Sequence, residues 1–141
     1  ERVVSAPLPE VFARFVDFST WDLWMPKTFR PISGPARALR EGDTFKVAVG
    51  AGLPLELRVI RLRPCVEICW KGGVPFGLTG EHSFFFREAE GGGTVVRSEE
   101  IFSGALSLGP AAKLIERTAT TLGESTLASF ATHIERGLRA A

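Results

Sequence analysis

The sequence predicts an α+β fold in which a curved antiparallel β-sheet wraps around a long C-terminal helix, with two short helices after the first strand. Three observations carry this prediction. Five segments between residues 45 and 102 alternate apolar and polar residues with period two. A stripe of apolar residues at three-or-four spacing then runs from about Pro110 to Leu138. Near the start, a proline-opened helical pattern follows a short strand. A meander with one dry face needs a cover, and the terminal helix supplies it.

Residues 2 to 6 read as the end of a first strand. Pro7-Leu8-Pro9-Glu10 opens a helix with proline in its first turn, where the missing N–H costs nothing, and Val11, Phe12, Phe15, Val16 and Phe18 form its apolar face. A second helical turn covers Ser19 to Met25, with Ser19 as the expected N-cap and a stop before Pro26. Its tryptophans, Trp21 and Trp24, share one side. A loop is expected from there to about Ile32.

The dry positions of the strands follow from parity. They are Phe45, Val47 and Val49 in 45–49; Leu53, Leu55, Leu57 and Val59 in 53–60; and Val66, Ile68 and Trp70 in 66–71. In 81–87 they are His82, Phe84 and Phe86, and in 94–102 Thr94, Val96, Ser98, Glu100 and Phe102. Gly50-Ala51-Gly52, Arg63-Pro64, the Gly-rich 72–80 stretch and Gly91-Gly92-Gly93 mark the turns. Glu67, Cys69 and Ser83 fall on the opposite, wet parity. Arg58, Arg61 and Arg63 are expected as solvated charges on the outer face and turn. In the last helix Ile115, Ala119, Leu122, Phe130, Ile134 and Leu138 form one stripe. Gly123 interrupts it at a cost of roughly 1 kcal/mol against alanine, which predicts a kink or a close contact there.

At 141 residues the chain reads as one domain, 1–141, able to bury roughly two-thirds of its unfolded surface. A net charge of +1 supplies no footprint for nucleic acid or an anionic membrane. No apolar run approaches the ~20 residues that span a bilayer, so stable membrane insertion is not expected. The opening Glu-Arg-Val-Val-Ser has no signal-peptide core and no Met, which leaves room for residues upstream. Cys65 and Cys69, four apart on one expected strand, would sit roughly 13 Å apart, too far for a disulfide. Two free thiols predict a reducing, cytoplasmic setting. Thirteen Arg against four Lys, with no Tyr, suggest a GC-rich bacterial genome.

Trp21, Trp24 and Pro26 after a proline-started helix, then the meander, then His82-Ser83-Phe84, Gly93-Thr94 and Glu100-Ile101-Phe102-Ser103-Gly104 form a pattern along nearly the whole chain. This pattern resembles the polyketide cyclase/dehydrase branch of the START-like, helix-grip (Bet v 1-like, SRPBCC) superfamily. The resemblance implies a sheet gripping the C-terminal helix, two short helices at the rim and an internal cavity for an apolar ligand. It also implies a range of activities, from cyclases and dehydratases to lipid carriers, hormone receptors and co-chaperone domains. The last helix departs from many relatives in lacking a Lys-rich ending.

Glu100 is the strongest anomaly. Parity aims it at the dry side with Val96 and Phe102, where a carboxylate finds a partner or has its pKa raised. It reads either as a general acid/base or ligand anchor, or as a group satisfied at the sheet end by a backbone amide or an arginine. His82 faces inward on the adjacent strand, and pairing through the 88–93 hairpin brings it near 98–100. The two could form a dyad in which the carboxylate orients the imidazole, or His82 could be satisfied by backbone or water.

Trp21, Trp24, Phe29, Trp70, Phe76 and Phe84 are the expected aromatic lining or lid, with plain core packing as the alternative for each. Inward Phe45, Val47, Leu55, Leu57 and Phe102, and Ile115, Ala119 and Leu122 of the helix, complete the expected ligand-binding set. The two tryptophans near the Pro-flanked loop and the loop Gly72-Gly73-Val74-Pro75-Phe76-Gly77 are where an opening is expected. No metal site is expected: the second histidine, His133, is remote in sequence, and H-x-x-x-H and C-x-x-C patterns are missing. Nucleophile elbows and phosphate-binding glycine patterns are missing too, so no cofactor is expected.

The leading expectation is a carrier or sensor that binds a small hydrophobic or aromatic molecule, or a lipid, inside the fold. An acid/base enzyme of cyclase, dehydratase or hydrolase type using Glu100 and His82 is the first alternative. A co-chaperone-like interaction module, with Phe85 and Ile101 as outer apolar candidates, is the second. Oligomeric state, monomer or dimer, is left open.

Overall fold

A computed structural model describes residues 1–50, 53–74 and 77–141. Ala51 and Gly52 of the first expected turn, and Pro75 and Phe76 of the expected opening, lie outside the described residues. The strands are β1 (Arg2–Val4), β2 (Phe29–Ser33), β3 (Thr44–Val49), β4 (Leu53–Arg63), β5 (Glu67–Val74), β6 (Leu78–Glu88) and β7 (Thr94–Ser103). They form one antiparallel sheet in the order β1-β7-β6-β5-β4-β3-β2. Helix α1 (Leu8–Val16) and a 3₁₀ segment (Phe18–Leu23) follow β1, and α2 (Ala112–Ala140) closes the chain. The architecture is the curved sheet around a long C-terminal helix that the patterning predicts.

Helix α1 buries Val11, Phe12, Phe15 and Val16, the face read from its spacing. Phe15 is the hub of the aromatic core. Its ring centroid lies 4.7 Å from Phe84, 5.0 Å from Phe130, 5.3 Å from Phe86 and 5.4 Å from Trp24. The two halves of α2 do different jobs. From Gly123 to Ile134 it buries Thr126, Leu127, Phe130 and Ala131, with Phe130 packed on Phe15 and Trp24, whereas Ile115, Ala119 and Leu122 stay only partly covered. Gly123 marks the change. A Cβ there would lie 2.8 Å from Ser98 Oγ, so glycine allows the close approach of helix and β7.

Several expectations need correction. The stretch before Ile32 contains β2, which pairs with β3 at the sheet edge. Pro31 hides it from a sequence reading, because proline suits only a strand with a free edge. The 3₁₀ segment is capped by Asp17, whose carboxylate accepts from the Ser19 amide at 3.1 Å, so Ser19 is not the cap. Residues 72–80 are not one long loop, since Gly72 pairs with Gly80 and Gly73 with Thr79 inside the β5–β6 ladder. Val66 and Leu138, assigned to the dry side, are exposed. Val66 sits in the β4–β5 turn, and α2 is exposed from Arg136 onwards.

The outer face is drier than parity implies. Glu67, Cys69 and Ser83 are buried. A register shift between Val59 and Arg61 puts Arg61 opposite Cys69, on the same side as Arg63 opposite Glu67. Arg61 Nε donates to Glu67 Oε1 at 3.1 Å and Arg63 Nη2 to Oε2 at 2.8 Å, so these arginines are paired with the carboxylate. Burial pushes the Glu67 carboxyl up, but the hydrogen bonds from Arg61 and Arg63 outweigh it and hold the group below its ordinary value. Cys65 is not on a strand; it occupies the turn with φ of 58°, and both cysteines are free thiols. Phe85 of the outer face is partly covered by the Arg97 guanidinium, 4.6 Å from its ring centre, whereas Ile101 is exposed.

Candidate functional site

Between strands β2–β7 of the sheet and the first half of α2 lies a cavity of about 360 Å³. Trp70, His82 and Glu100 stand opposite one another across β5, β6 and β7 and form one row of its floor. The next row is Gly72, Gly80 and Phe102. A Cβ on Gly72 would collide with Leu57, and one on Gly80 would lie 3.2 Å from the Phe102 ring and 3.4 Å from Glu100 Oε1. The glycines that punctuate the sequence here leave room for larger neighbours. Ile115, Ala119 and Leu122 of α2 form the roof, one helical turn apart.

The structure sorts the expected lining residues into two layers. Phe29, Leu55, Leu57, Trp70, His82, Glu100, Phe102, Ile115, Ala119 and Leu122 line the cavity. Trp21, Phe45, Val47 and Phe84 are buried deeper, in the aromatic core. Trp21 gives its indole N–H to the Phe15 carbonyl at 2.9 Å, and Trp24 packs on Phe15 and Phe130. Parity names the face of the sheet but not the depth along it, which is why the two layers read alike. Val49, read as a dry position, and Gly72 and Gly73, read as part of the opening, also line the cavity, together with Leu78, Gly80, Leu114 and Thr118, which the sequence pattern does not single out. Thr118 lies one turn from Ile115 and Leu122 on α2, and that spacing is the signal that could have found it.

The only titratable groups among the described lining residues are His82 and Glu100. The His82 ring stacks on Phe84 with centroids 4.3 Å apart, and its Nε2 is 2.7 Å from Ser98 Oγ. Burial pushes its pKa down to about 4, so the ring is neutral at physiological pH. Its Nδ1 stands 3.8 Å from Glu100 Oε2, which is too long for a hydrogen bond. That oxygen is buried and has no hydrogen-bond partner among the described residues. Burial raises the Glu100 carboxyl to about 7, so it exchanges its proton near neutrality. Glu100 also forms part of a second depression of about 260 Å³ on the far side, bordered by Ser98, Glu116, Gly123 and Glu124.

Such a site, open on one side, can receive a compact apolar body and present one carboxyl and one neutral imidazole to a polar group on it. Among the described residues, no three His, Cys, Asp or Glu side chains are grouped to hold a metal ion. No described helix is long and apolar enough to cross a membrane.

Solved structures place this architecture. The chain aligns with MLL2253 from Mesorhizobium loti at a TM-score of 0.72 and 14% identity, over 96% of this chain and 93% of that one. It aligns with Ara h 8.0201 at 0.68 and 11%, over 96% and 94%. The chain has the Bet v 1-like helix-grip fold. The di-domain ARO/CYC StfQ from the steffimycin biosynthetic pathway aligns at 0.74 and 13% identity, over 97% of this chain and 49% of that one, so this helix-grip chain spans about half its length. No protein-family model and no curated protein matches the sequence.

Proposed function

We propose that this helix-grip protein binds one compact hydrophobic or aromatic molecule between its sheet and the first half of α2. The carrying observation is the cavity itself, whose lining is apolar apart from one end. Its volume of about 360 Å³ is at the small end of the ~300–1,000 Å³ range of ligand pockets, which favours a ring system over a whole phospholipid. Trp70 and Phe29, nearly parallel at 24°, supply flat aromatic surface.

Native mass spectrometry of freshly purified protein, followed by titration of bicyclic aromatic compounds with tryptophan fluorescence as the readout, tests the proposal. Ala119→Trp, which fills the roof, is expected to weaken binding at least about tenfold; this corresponds to ~1.4 kcal/mol, less than burying one aromatic ring contributes. Binding that is unaffected by Ala119→Trp would place the ligand elsewhere.

A second reading, acid–base catalysis of the cyclase or dehydratase type, is favoured by Glu100 alone, whose carboxyl near 7 can both give and take a proton at neutral pH. It predicts that Glu100→Gln retains binding of an aromatic β-ketoester and loses at least about a hundredfold of any turnover of it. Full turnover by Glu100→Gln would remove this reading.

A further inference from the structure

The polar end of the cavity is built for a positive charge. Among the described residues Glu100 Oε2 is buried without a partner, so one carboxylate oxygen is held ready to accept a hydrogen bond that none of them supplies. His82 does not fill the role, because its Nε2 is engaged with Ser98 and its Nδ1 stays 3.8 Å away. Among the described residues, neither the cavity nor the depression behind Glu100 is lined by a lysine or arginine. The charged groups that do face that depression are acidic: Glu116 and Glu124 from α2, and Glu1 ahead of β1, which also pairs with Arg87 at 3.6 Å.

We propose that the site selects a protonated amine: a compact aromatic or aliphatic body in the cavity, with its ammonium group donating to Glu100. A carboxylate-bearing ligand such as a fatty acid is disfavoured, since its head would meet Glu100 with no cation beside it. The selection rests on the reading of the cavity as the binding site, and the charge preference is a separate property of one residue. An ammonium group binds the ionised form of Glu100, whose carboxyl lies near 7 in the free protein. Amine affinity therefore rises with pH through neutrality, by up to about thirtyfold between about pH 5.5 and 8. His82, at about 4, stays neutral throughout that interval.

The experiment compares 2-naphthylmethylamine, 2-naphthylmethanol and 2-naphthoate by calorimetry at pH 8 and pH 5.5, with wild type and Glu100→Gln. At pH 8 the amine is expected to bind wild type at least about tenfold tighter than the alcohol, consistent with a charge-assisted hydrogen bond, and the carboxylate weakest. The amine-to-alcohol ratio is expected to shrink at pH 5.5 and to approach one in Glu100→Gln. Equal binding of amine and alcohol to wild type at pH 8, or a ratio that survives Glu100→Gln, would overturn the amine preference while leaving the cavity reading in place. Binding of none of the three would remove both.

Discussion

Glu100→Gln is expected to stabilise the fold at pH 8 by about 3 kcal/mol, read as an increase in the urea midpoint. Burial raises this carboxyl from 4.5 to about 7, and each unit is worth about 1.4 kcal/mol. For a raised acid the contribution is a cost. The unfolded chain ionises from pH 4.5 upwards while the folded chain holds its proton until about 7, so stability is lost across that window and stays lost above it. Glutamine keeps the shape and has no charge to bury. His82 runs in the opposite sense. Its ring is held neutral by a pKa lowered from 6.5 to about 4, so stability is lost as pH falls through that interval. Between 4.5 and 6.5 the two slopes cancel, and this pair leaves wild-type stability flat. Each single variant exposes the other partner. Glu100→Gln is expected to gain stability with rising pH up to about 6.5, and His82→Gln to lose it between 4.5 and about 7. Parallel stability curves for wild type and Glu100→Gln from pH 4 to 8 would contradict this account.

Phe15→Ala is expected to remove about 3–5 kcal/mol of stability, the usual range for deleting a buried aromatic ring. Phe15 is fully buried and touches rings from α2, from β6 and from the 3₁₀ region at once. Its loss would leave a cavity that three separate elements would have to collapse together. Domains of this kind hold about 5–15 kcal/mol in total, so thermal unfolding should begin far lower than in wild type. Phe85→Ala on the outer face, where the ring meets only partial cover from Arg97, is the control and should cost about 1 kcal/mol or less. A Phe15→Ala loss no larger than that of Phe85→Ala would mean that the core relaxes around the gap.

Much of this molecule is legible along the chain. Strand parity placed Trp70, His82, Glu100 and Phe102 on one face, and the structure brings them to one cavity floor. The spacing of Ile115, Ala119 and Leu122 likewise anticipated a helix surface towards that floor. Three kinds of information were not local. The bulge near Ile60 turned Arg61 towards Glu67, and strict alternation cannot see an extra residue. Pro31 concealed an edge strand whose partner, β3, begins only at Thr44. Depth was the third: Trp21 and Phe45 look like cavity residues by type and parity, yet they lie beneath it.

The sequence by itself determined the class of fold, because the periods of two and of three-or-four dictate which faces must be buried and in what order. It also singled out Glu100, since a carboxylate at a dry position is visible in one strand. Only the tertiary structure decided that Glu100 Oε2 has no partner among the described residues, that His82 turns to Ser98 instead, and that acidic residues of α2 stand behind them. Those facts depend on distances between strands and a helix far apart in the chain. Hydrogen bonding and charge act over a few ångströms of space, and the order of residues does not specify that space until the sheet has closed over α2.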